Sequence, residues 1–132
     1  MNIVLAYHGF NIDSRILATA LDHARSFKAR LHLVTSMETG EEVPKDAFDE
    51  AEHDLEKGRD FCRAAGVDCI TSLLETNNAA GEDLVEYACR HQIDEIIIGI
   101  RRRSKLGKLL FGSTAQYVIL EAPCPVLTVR IS

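Results

Sequence analysis

The sequence predicts an α/β fold in which helices cover both faces of a parallel β-sheet. Short runs rich in β-branched residues alternate along the chain with segments whose apolar residues recur every three or four positions. The first pattern is typical of buried strands and the second of amphipathic helices. Regular alternation of the two implies right-handed β-α-β units, which place the strands parallel to one another in one sheet.

Five short apolar runs are predicted to be strands. In chain order they are NIVLAY, RLHLVTSM, VDCITSLL, IDEIII and PVLTVRI, at residues 2–7, 30–37, 67–74, 93–98 and 125–131. Val, Ile, Leu and Thr dominate these runs, as they do in strands that are buried on both faces.

A helix is predicted in each of the four intervals between these strands, because each interval has an apolar face. The predicted inner faces are Ile16, Leu17, Ala20, Leu21, Ala24 and Phe27 in the first helix, Phe48, Ala51, Leu55, Cys62 and Ala65 in the second (46–65), and Ala80, Leu84, Val85, Ala88 and Cys89 in the third. The fourth helix is expected at 113–121. Asp13 or Ser14 is expected to cap the first helix, Asn77 and Asn78 the third, and Gly66 to end the second.

The composition is that of a soluble globular protein, and residues 1–132 are predicted to form a single domain. The chain is 46% hydrophobic and 27% charged, and at this length it can bury a core without a metal or a disulfide. We expect neither a signal peptide nor a membrane span. The four cysteines, Cys62, Cys69, Cys89 and Cys124, lack CxxC spacing and are expected to be buried thiols of a cytoplasmic protein.

One segment, GIRRRSKLGKLLFGST at 99–114, concentrates positive charge in a chain whose net charge is −5. Five basic side chains between Arg101 and Lys108 precede the helix expected at Ser113. The first N–H groups of a helix have no partners within it, and with the helix dipole they favour a phosphate. The sequence therefore predicts an anion site, with a solvated loop and a capping Ser113 as the alternative.

Two common phosphate-binding motifs are absent. The stretch from Gly107 to Thr114 has the GxxxxG frame of a P-loop, but Ser113 stands where that motif has lysine. The turn after the first strand, AYHGFN, has a single glycine in place of GxGxxG. Neither a P-loop nor a dinucleotide-binding Rossmann turn is therefore expected.

The segment resembles a motif of the universal stress protein (UspA) family. Nucleotide-binding members of that family have G-x2-G-x9-G-[ST] after the fourth strand; Gly99 matches the first glycine, and Gly112 and Ser113 match the last pair. The stretches IVLAYHGFNIDSRILATALDHA and AQYVILEAPCPVLTVR also resemble the family. The resemblance therefore covers essentially the whole chain.

The resemblance implies a Rossmann-like fold, like that of the adenine nucleotide alpha hydrolases, with strand order 3-2-1-4-5. It implies a dimeric cytoplasmic stress-response regulator that binds ATP or AMP, with Mg²⁺. By position, the phosphates would lie against Gly99, Gly112, Ser113 and Thr114 with Arg101 and Arg102 adding charge, and the adenine and ribose near Ala6, His8, Ser36 and Ile98.

Two positions depart from the family motif. Arg102 stands where the second glycine is expected, although its guanidinium group can itself pair with a phosphate. His8 stands where nucleotide-binding members usually have aspartate, so an imidazole replaces a carboxylate acceptor. The alternative function is therefore a nucleotide-independent dimer that binds an unknown protein partner through the basic 101–108 loop.

The remaining function classes are not expected. Asp94 and Glu95 precede the buried end of the fourth strand, so no carboxylate is placed beside the phosphates and no enzyme is predicted, with a slow ATPase activity left open. The acidic chain has no aromatic residue interleaved with its basic side chains, which disfavours nucleic acid. The last strand, at 126–131, would lie at a sheet edge, and pairing with a second copy predicts a homodimer.

Overall fold

The computed structural model describes residues 1–8, 14–38, 43–100 and 112–131. In that part of the chain, strands and helices alternate as the sequence predicts. They are β1 (Asn2–Ala6), α1 (Ser14–Phe27), β2 (Arg30–Glu38), α2 (Lys45–Ala64), β3 (Cys69–Thr76), α3 (Ala80–Arg90), β4 (Glu95–Ile100), α4 (Ser113–Glu121) and β5 (Val126–Arg130).

The strands form one parallel sheet in the order β3-β2-β1-β4-β5. This confirms the α/β class and the strand order that the family resemblance implies. β1 pairs with both of its neighbours, with Ala6 opposite Val34 and Leu5 opposite Ile97. β1 therefore lies at the centre of the sheet, between β2 and β4, and β3 and β5 form its two edges.

Each face of the sheet carries its own hydrophobic core, as β1 illustrates. Ile3 and Leu5 belong to a buried cluster with residues of α1 and α2. Val4 and Ala6 belong to a second cluster with residues of α3 and α4. Successive side chains of a strand point to opposite faces, so a strand covered on both sides is apolar at nearly every position.

The inner faces of α1 and α3 differ in detail from the prediction. Phe27, at the end of α1, is 52% exposed. In α3 the buried positions include Gly81 and Tyr87, whereas Cys89 is exposed. The Tyr87 hydroxyl bonds a buried histidine on β2, which orients α3 with Tyr87 inward and Cys89 outward. The expectation of four buried cysteines is therefore wrong: Cys62 and Cys69 are buried and Cys124 is half-buried.

The second helix ends at Gly66, as predicted, and the third begins differently from its prediction. Gly66 has φ 83°, and its N–H bonds Arg63 O while the next N–H bonds Cys62 O, which is a Schellman end. At the start of α3 the N-cap is Ala79, with no side-chain capping bond. Asn78 instead donates its backbone N–H to Thr76 Oγ1 at 3.1 Å.

Two positions with positive φ give stability changes of opposite sign. Gly66 (φ 83°) and Gln92 (φ 52°) both follow a helix end. Because a side chain is strained in this region, we expect Gly66→Ala to lower the free energy of unfolding by about 1 kcal/mol and Gln92→Gly to raise it by about 0.5 kcal/mol. Urea denaturation measures both. Two shifts of the same sign would show that backbone strain does not control these helix ends.

Candidate functional site

The carboxyl ends of β1, β2 and β4 meet at one edge of the sheet, which we call the carboxyl edge. Strand order reverses between β1 and β4, and ligands of open parallel sheets bind outside the carboxyl edge at such a point. Ala6 and Ile98 belong to the buried cluster on the α3–α4 face. Ser36 faces the same side, because its hydroxyl group bonds Asp83 of α3. The structure thus brings three of the predicted base and ribose residues to one face.

The N-terminus of α4 is exposed and has no side-chain cap. Its N-cap is Gly112, with φ −62° and ψ 160°, and the first bond of the helix runs from Gln116 N–H to Gly112 O at 3.0 Å. Ser113 is therefore the first helical residue and not the cap. The N–H groups of Ser113, Thr114 and Ala115 precede that first bond and have no acceptor within α4, as an anion site requires.

The N-termini of α3 and α4 are held together by a small residue. A Cβ atom added at Gly81 would lie 3.0 Å from Tyr117 Cβ and 3.3 Å from Thr114 O. The absence of a side chain at Gly81 therefore lets the first turn of α4 lie against α3. This contact fixes Ser113 and Thr114 relative to the face that carries Ser36.

Gly99 has a packing role that needs no ligand. A Cβ atom at this position would lie 2.8 Å from Ile131 Cδ1 and 3.2 Å from Ile16 Cδ1. Both side chains lie on the face opposite α3 and α4, where Ile131 is 8% exposed. Gly99 lies in β4, which ends at the carboxyl edge, but the space it leaves is filled by the protein itself.

Of the other predicted site residues, His8 lies apart from this group, and Arg101 and Arg102 are outside the described residues. His8 lines a cleft of about 280 Å³ together with Thr35, Met37, Ala47, Glu50, Ala51 and Asp54. That cleft is formed with α2, on the other face of the sheet from Ser36. Arg101 and Arg102 lie outside the described residues, so their place stays a prediction from the sequence.

Comparison with known protein families shows to which family the chain belongs. The model of the universal stress protein family matches residues 1–130. The chain belongs to the universal stress protein family. The resemblance carried by Gly99, Gly112 and Ser113 is thereby confirmed.

Individual members of the family align over nearly all of this universal stress protein. The "Universal stress protein in QAH/OAS sulfhydrylase 3'region" of Thermus aquaticus is 35% identical, with 97% of each chain covered. A solved universal stress protein from Archaeoglobus fulgidus superposes with a TM-score of 0.86 at 32% identity, covering 97% of both chains. Another, solved in complex with dAMP, gives 0.80 at 27% identity over 97% of this chain and 96% of the other.

Beside the predicted residues, this universal stress protein has a buried carboxylate that the sequence reasoning missed. Asp83, in the first turn of α3, is 3% exposed. It accepts hydrogen bonds from Ser36 Oγ at 2.6 Å and from Thr76 Oγ1 at 2.7 and 2.8 Å. The helix dipole at the start of α3 favours the negative charge. Asp83 therefore joins β2, β3 and α3 behind the carboxyl edge.

A second polar network lies on the α3–α4 face of the sheet, further from the carboxyl edge than Asp83. His32, 4% exposed, contacts the Tyr87 hydroxyl at 2.8 Å through Nδ1 and Asn2 Oδ1 at 3.0 Å through Nε2. Because the amide oxygen can only accept, Nε2 carries the proton and Nδ1 accepts from Tyr87. Burial, followed by the charges of His91 and Arg30, lowers the pKa of His32 to about 4. His32 is therefore neutral at pH 7.

The acidic pair named from the sequence lies at the opposite edge of the sheet. Asp94 Oδ2 accepts from the Asn2 N–H at 2.7 Å, and Glu95 pairs with His23 at 3.0 Å. Both precede or begin β4, whereas the candidate site lies beyond its end. Among the described residues, no group of three or more His, Cys, Asp or Glu side chains is placed to hold a metal ion. No helix in that part of the chain has the length and apolar character of a membrane span.

The sequence pattern indicates only weakly that Asp83 is a buried polar residue, and it indicates this more clearly for His32. A histidine between two leucines in RLHLV interrupts a buried strand, and buried polar side chains are nearly always hydrogen-bonded. In the sequence, Asp83 looks like an ordinary solvated acidic residue in the first turn of a helix, and only its neighbours in the fold distinguish it. Ser36, its partner, is 47 positions away along the chain.

Proposed function

We propose that this universal stress protein binds adenine nucleotides, ATP or AMP, at the carboxyl edge of its sheet. The observation that carries the proposal is the start of α4, where exposed Gly112 and Ser113 have no side-chain cap. A phosphate there accepts hydrogen bonds from backbone N–H groups and is favoured by the helix dipole. Arg101 and Arg102 add positive charge beside it, and Mg²⁺ accompanies ATP.

The base and ribose lie over the face formed by β1, β2 and β4. Ala6 and Ile98, 4% and 3% exposed, form an apolar floor, and Ser36 contributes a hydroxyl group. The Archaeoglobus fulgidus protein in complex with dAMP supports this class of ligand, since it shares the fold over nearly the whole chain. dAMP lacks the 2′-hydroxyl group of AMP and shares its adenine base, its phosphate and its 3′-hydroxyl group.

Ser113→Pro is the sharpest test of the phosphate site. Proline is tolerated at the first position of a helix, and the extended conformation of Gly112 suits a residue before proline. The substitution therefore removes one N–H and one hydroxyl group while α4 stays intact. We expect the affinity for AMP, measured by titration calorimetry, to fall by about tenfold or more, since hydrogen bonds to charged groups are strong.

Ala80→Pro is the matched control, because Ala80 is the first residue of α3 and follows an N-cap of similar conformation, with φ −66° and ψ 152°. This variant removes the N–H of the first helical residue, with no loss of a hydroxyl group, at the helix that is not assigned to the phosphate. It is expected to bind AMP as the unmodified protein does. Equal affinities in all three proteins would contradict the phosphate site, and absence of AMP binding by the unmodified protein would favour the nucleotide-independent function.

The role we propose is binding and regulation without efficient catalysis. Asp94 and Glu95 are engaged at the edge opposite the candidate site. A carboxylate that activates water must lie within reach of the reacting group. Release of phosphate from ATP at a rate above about 1 s⁻¹, a low value among enzymes, would contradict this part of the proposal.

We also propose that two copies associate through β5. This strand is an edge of the sheet, and Val126, Leu127 and Val129 are half-buried along it. Antiparallel pairing of two β5 strands about a two-fold axis covers both edges. Light scattering of the purified protein at micromolar concentration is expected to give twice the mass of the chain. The mass of a single chain would contradict the dimer.

A further inference from the structure

The hydroxyl group of Ser36 is fixed in one orientation by Asp83. Ser36 Oγ lies 2.6 Å from Asp83 Oδ2, and the carboxylate is 3% exposed. An ionised carboxylate accepts hydrogen bonds and cannot donate them, so Ser36 supplies the proton of this bond. The short distance is typical of a hydroxyl group donating to a charged oxygen.

Thr76, the other partner of Asp83, also donates its hydroxyl proton to the carboxylate. Thr76 Oγ1 accepts the Asn78 N–H at 3.1 Å and lies 2.7 Å from Asp83 Oδ1. Since Thr76 already accepts from the backbone, its own proton is directed to the carboxylate. Two hydroxyl groups and the dipole of α3 therefore hold Asp83 as an acceptor, and no proton is left for Ser36 to receive from it.

A serine in this state offers a ligand only its lone pairs. A hydroxyl oxygen carries one hydrogen and two lone pairs, and Asp83 takes the hydrogen. Ser36 is half-buried near the end of β2, on the face that also carries Ala6 and Ile98. A ligand group placed against Ser36 must therefore donate a hydrogen bond, and a carbonyl group there would bring two acceptors together.

We infer that Asp83 is a positioning residue that makes the carboxyl edge select a 6-aminopurine over a 6-oxopurine, by holding Ser36 as an acceptor for the 6-amino group. This inference rests on the proposed function and assigns the residues that select the base at the same site. A site built to pair with one polar group rejects an analogue that lacks it, because the buried polar atom is left without a partner.

The test compares the affinities of AMP and inosine monophosphate. Inosine monophosphate has a carbonyl group at position 6 in place of the amino group of AMP, and it carries a proton on N1. We expect the unmodified protein to prefer AMP by about tenfold. Ser36→Ala removes the acceptor and is expected to reduce the preference to about twofold or less. Asp83→Asn is expected to reduce it as well, because an amide can donate to Ser36 and release the serine proton toward a carbonyl group.

Ser72→Ala is the matched control. Ser72 lies on β3 opposite Val34, and its hydroxyl group contacts Tyr87 at 3.3 Å and not Asp83. The Ser72→Ala variant therefore loses a half-buried hydroxyl group from the same face of the sheet. It is expected to keep the tenfold preference for AMP over inosine monophosphate. Because each preference is a ratio within one protein, a lower folded fraction in a variant does not change it.

Four outcomes would overturn the inference, and they differ from one another. Equal binding of AMP and inosine monophosphate by the unmodified protein would overturn the selectivity while the nucleotide site stands. A preference retained in Ser36→Ala would show that another group reads the base. If 3′-deoxy-AMP binds more weakly than AMP and this difference disappears in Ser36→Ala, the sugar and not the base lies against Ser36. If no nucleotide binds, the proposed function itself is overturned.

Discussion

Replacing Asp83 with alanine is expected to lower the free energy of unfolding by about 3 kcal/mol, because hydrogen bonds to a charged group contribute about 1.5 kcal/mol or more each. The carboxylate is buried and joins Ser36 of β2 to Thr76 of β3. Its removal leaves two hydroxyl groups without their acceptor inside the protein. Urea denaturation at pH 7 measures the loss.

The control for this substitution is Asp49→Ala, which removes an exposed carboxylate from α2. Exposed substitutions away from special features change stability by about 0.5 kcal/mol or less. A loss at Asp83 no larger than the loss at Asp49 would show that the bonds to Ser36 and Thr76 do not stabilise the fold.

Acidification is expected to destabilise the protein through His32. Its pKa is about 4 in the folded protein, against a usual value of 6.5, so the unfolded chain takes up a proton first as the pH falls. The stabilisation is complete above pH 6.5 and is lost progressively as the pH falls toward 4. One pKa unit corresponds to about 1.4 kcal/mol, so His32 is expected to account for about 2 kcal/mol between pH 7 and pH 5.

His32→Gln isolates this contribution, since glutamine does not titrate and can still donate to Asn2 and accept from Tyr87. The difference in the free energy of unfolding between pH 7 and pH 5 is expected to shrink by about 2 kcal/mol in this variant. His53→Gln, at an exposed position of α2, is expected to leave the difference unchanged. The same pH dependence in His32→Gln and the unmodified protein would contradict the assignment.

The fold was predictable because its elements are encoded locally. β1 is apolar at nearly every position because both of its faces are covered. Helices α1 and α2 cover Ile3 and Leu5, and α3 and α4 cover Val4 and Ala6. The end of α2 followed from Gly66 alone. The orientation of α3 did not follow from its apolar residues, because Tyr87 turns inward to bond His32, a partner that belongs to β2.

From local pattern alone, the candidate site was predictable only at the start of α4, whereas Ala6, Ser36 and Ile98 were predicted from the family resemblance. Gly112 and Ser113 stand out because glycine and a hydroxyl residue precede an apolar helix. The role of Asp83 depends on Ser36 and Thr76 meeting across two paired strands, which no local pattern records. The packing role of Gly99 depends in the same way on Ile131 and Ile16, which are distant in the chain.

The most direct test of the nucleotide site is a titration of ¹⁵N-labelled protein with AMP, followed by the shifts of its amide resonances. We expect the amides of Ser113, Thr114 and Ala115 to shift together and to saturate, because the phosphate accepts from the start of α4. Amides at the opposite edge, such as those of Lys28 and Gly66, are expected to stay in place. Saturating shifts confined to that opposite edge, or unchanged amides at 113–115 in the presence of bound AMP, would contradict the site.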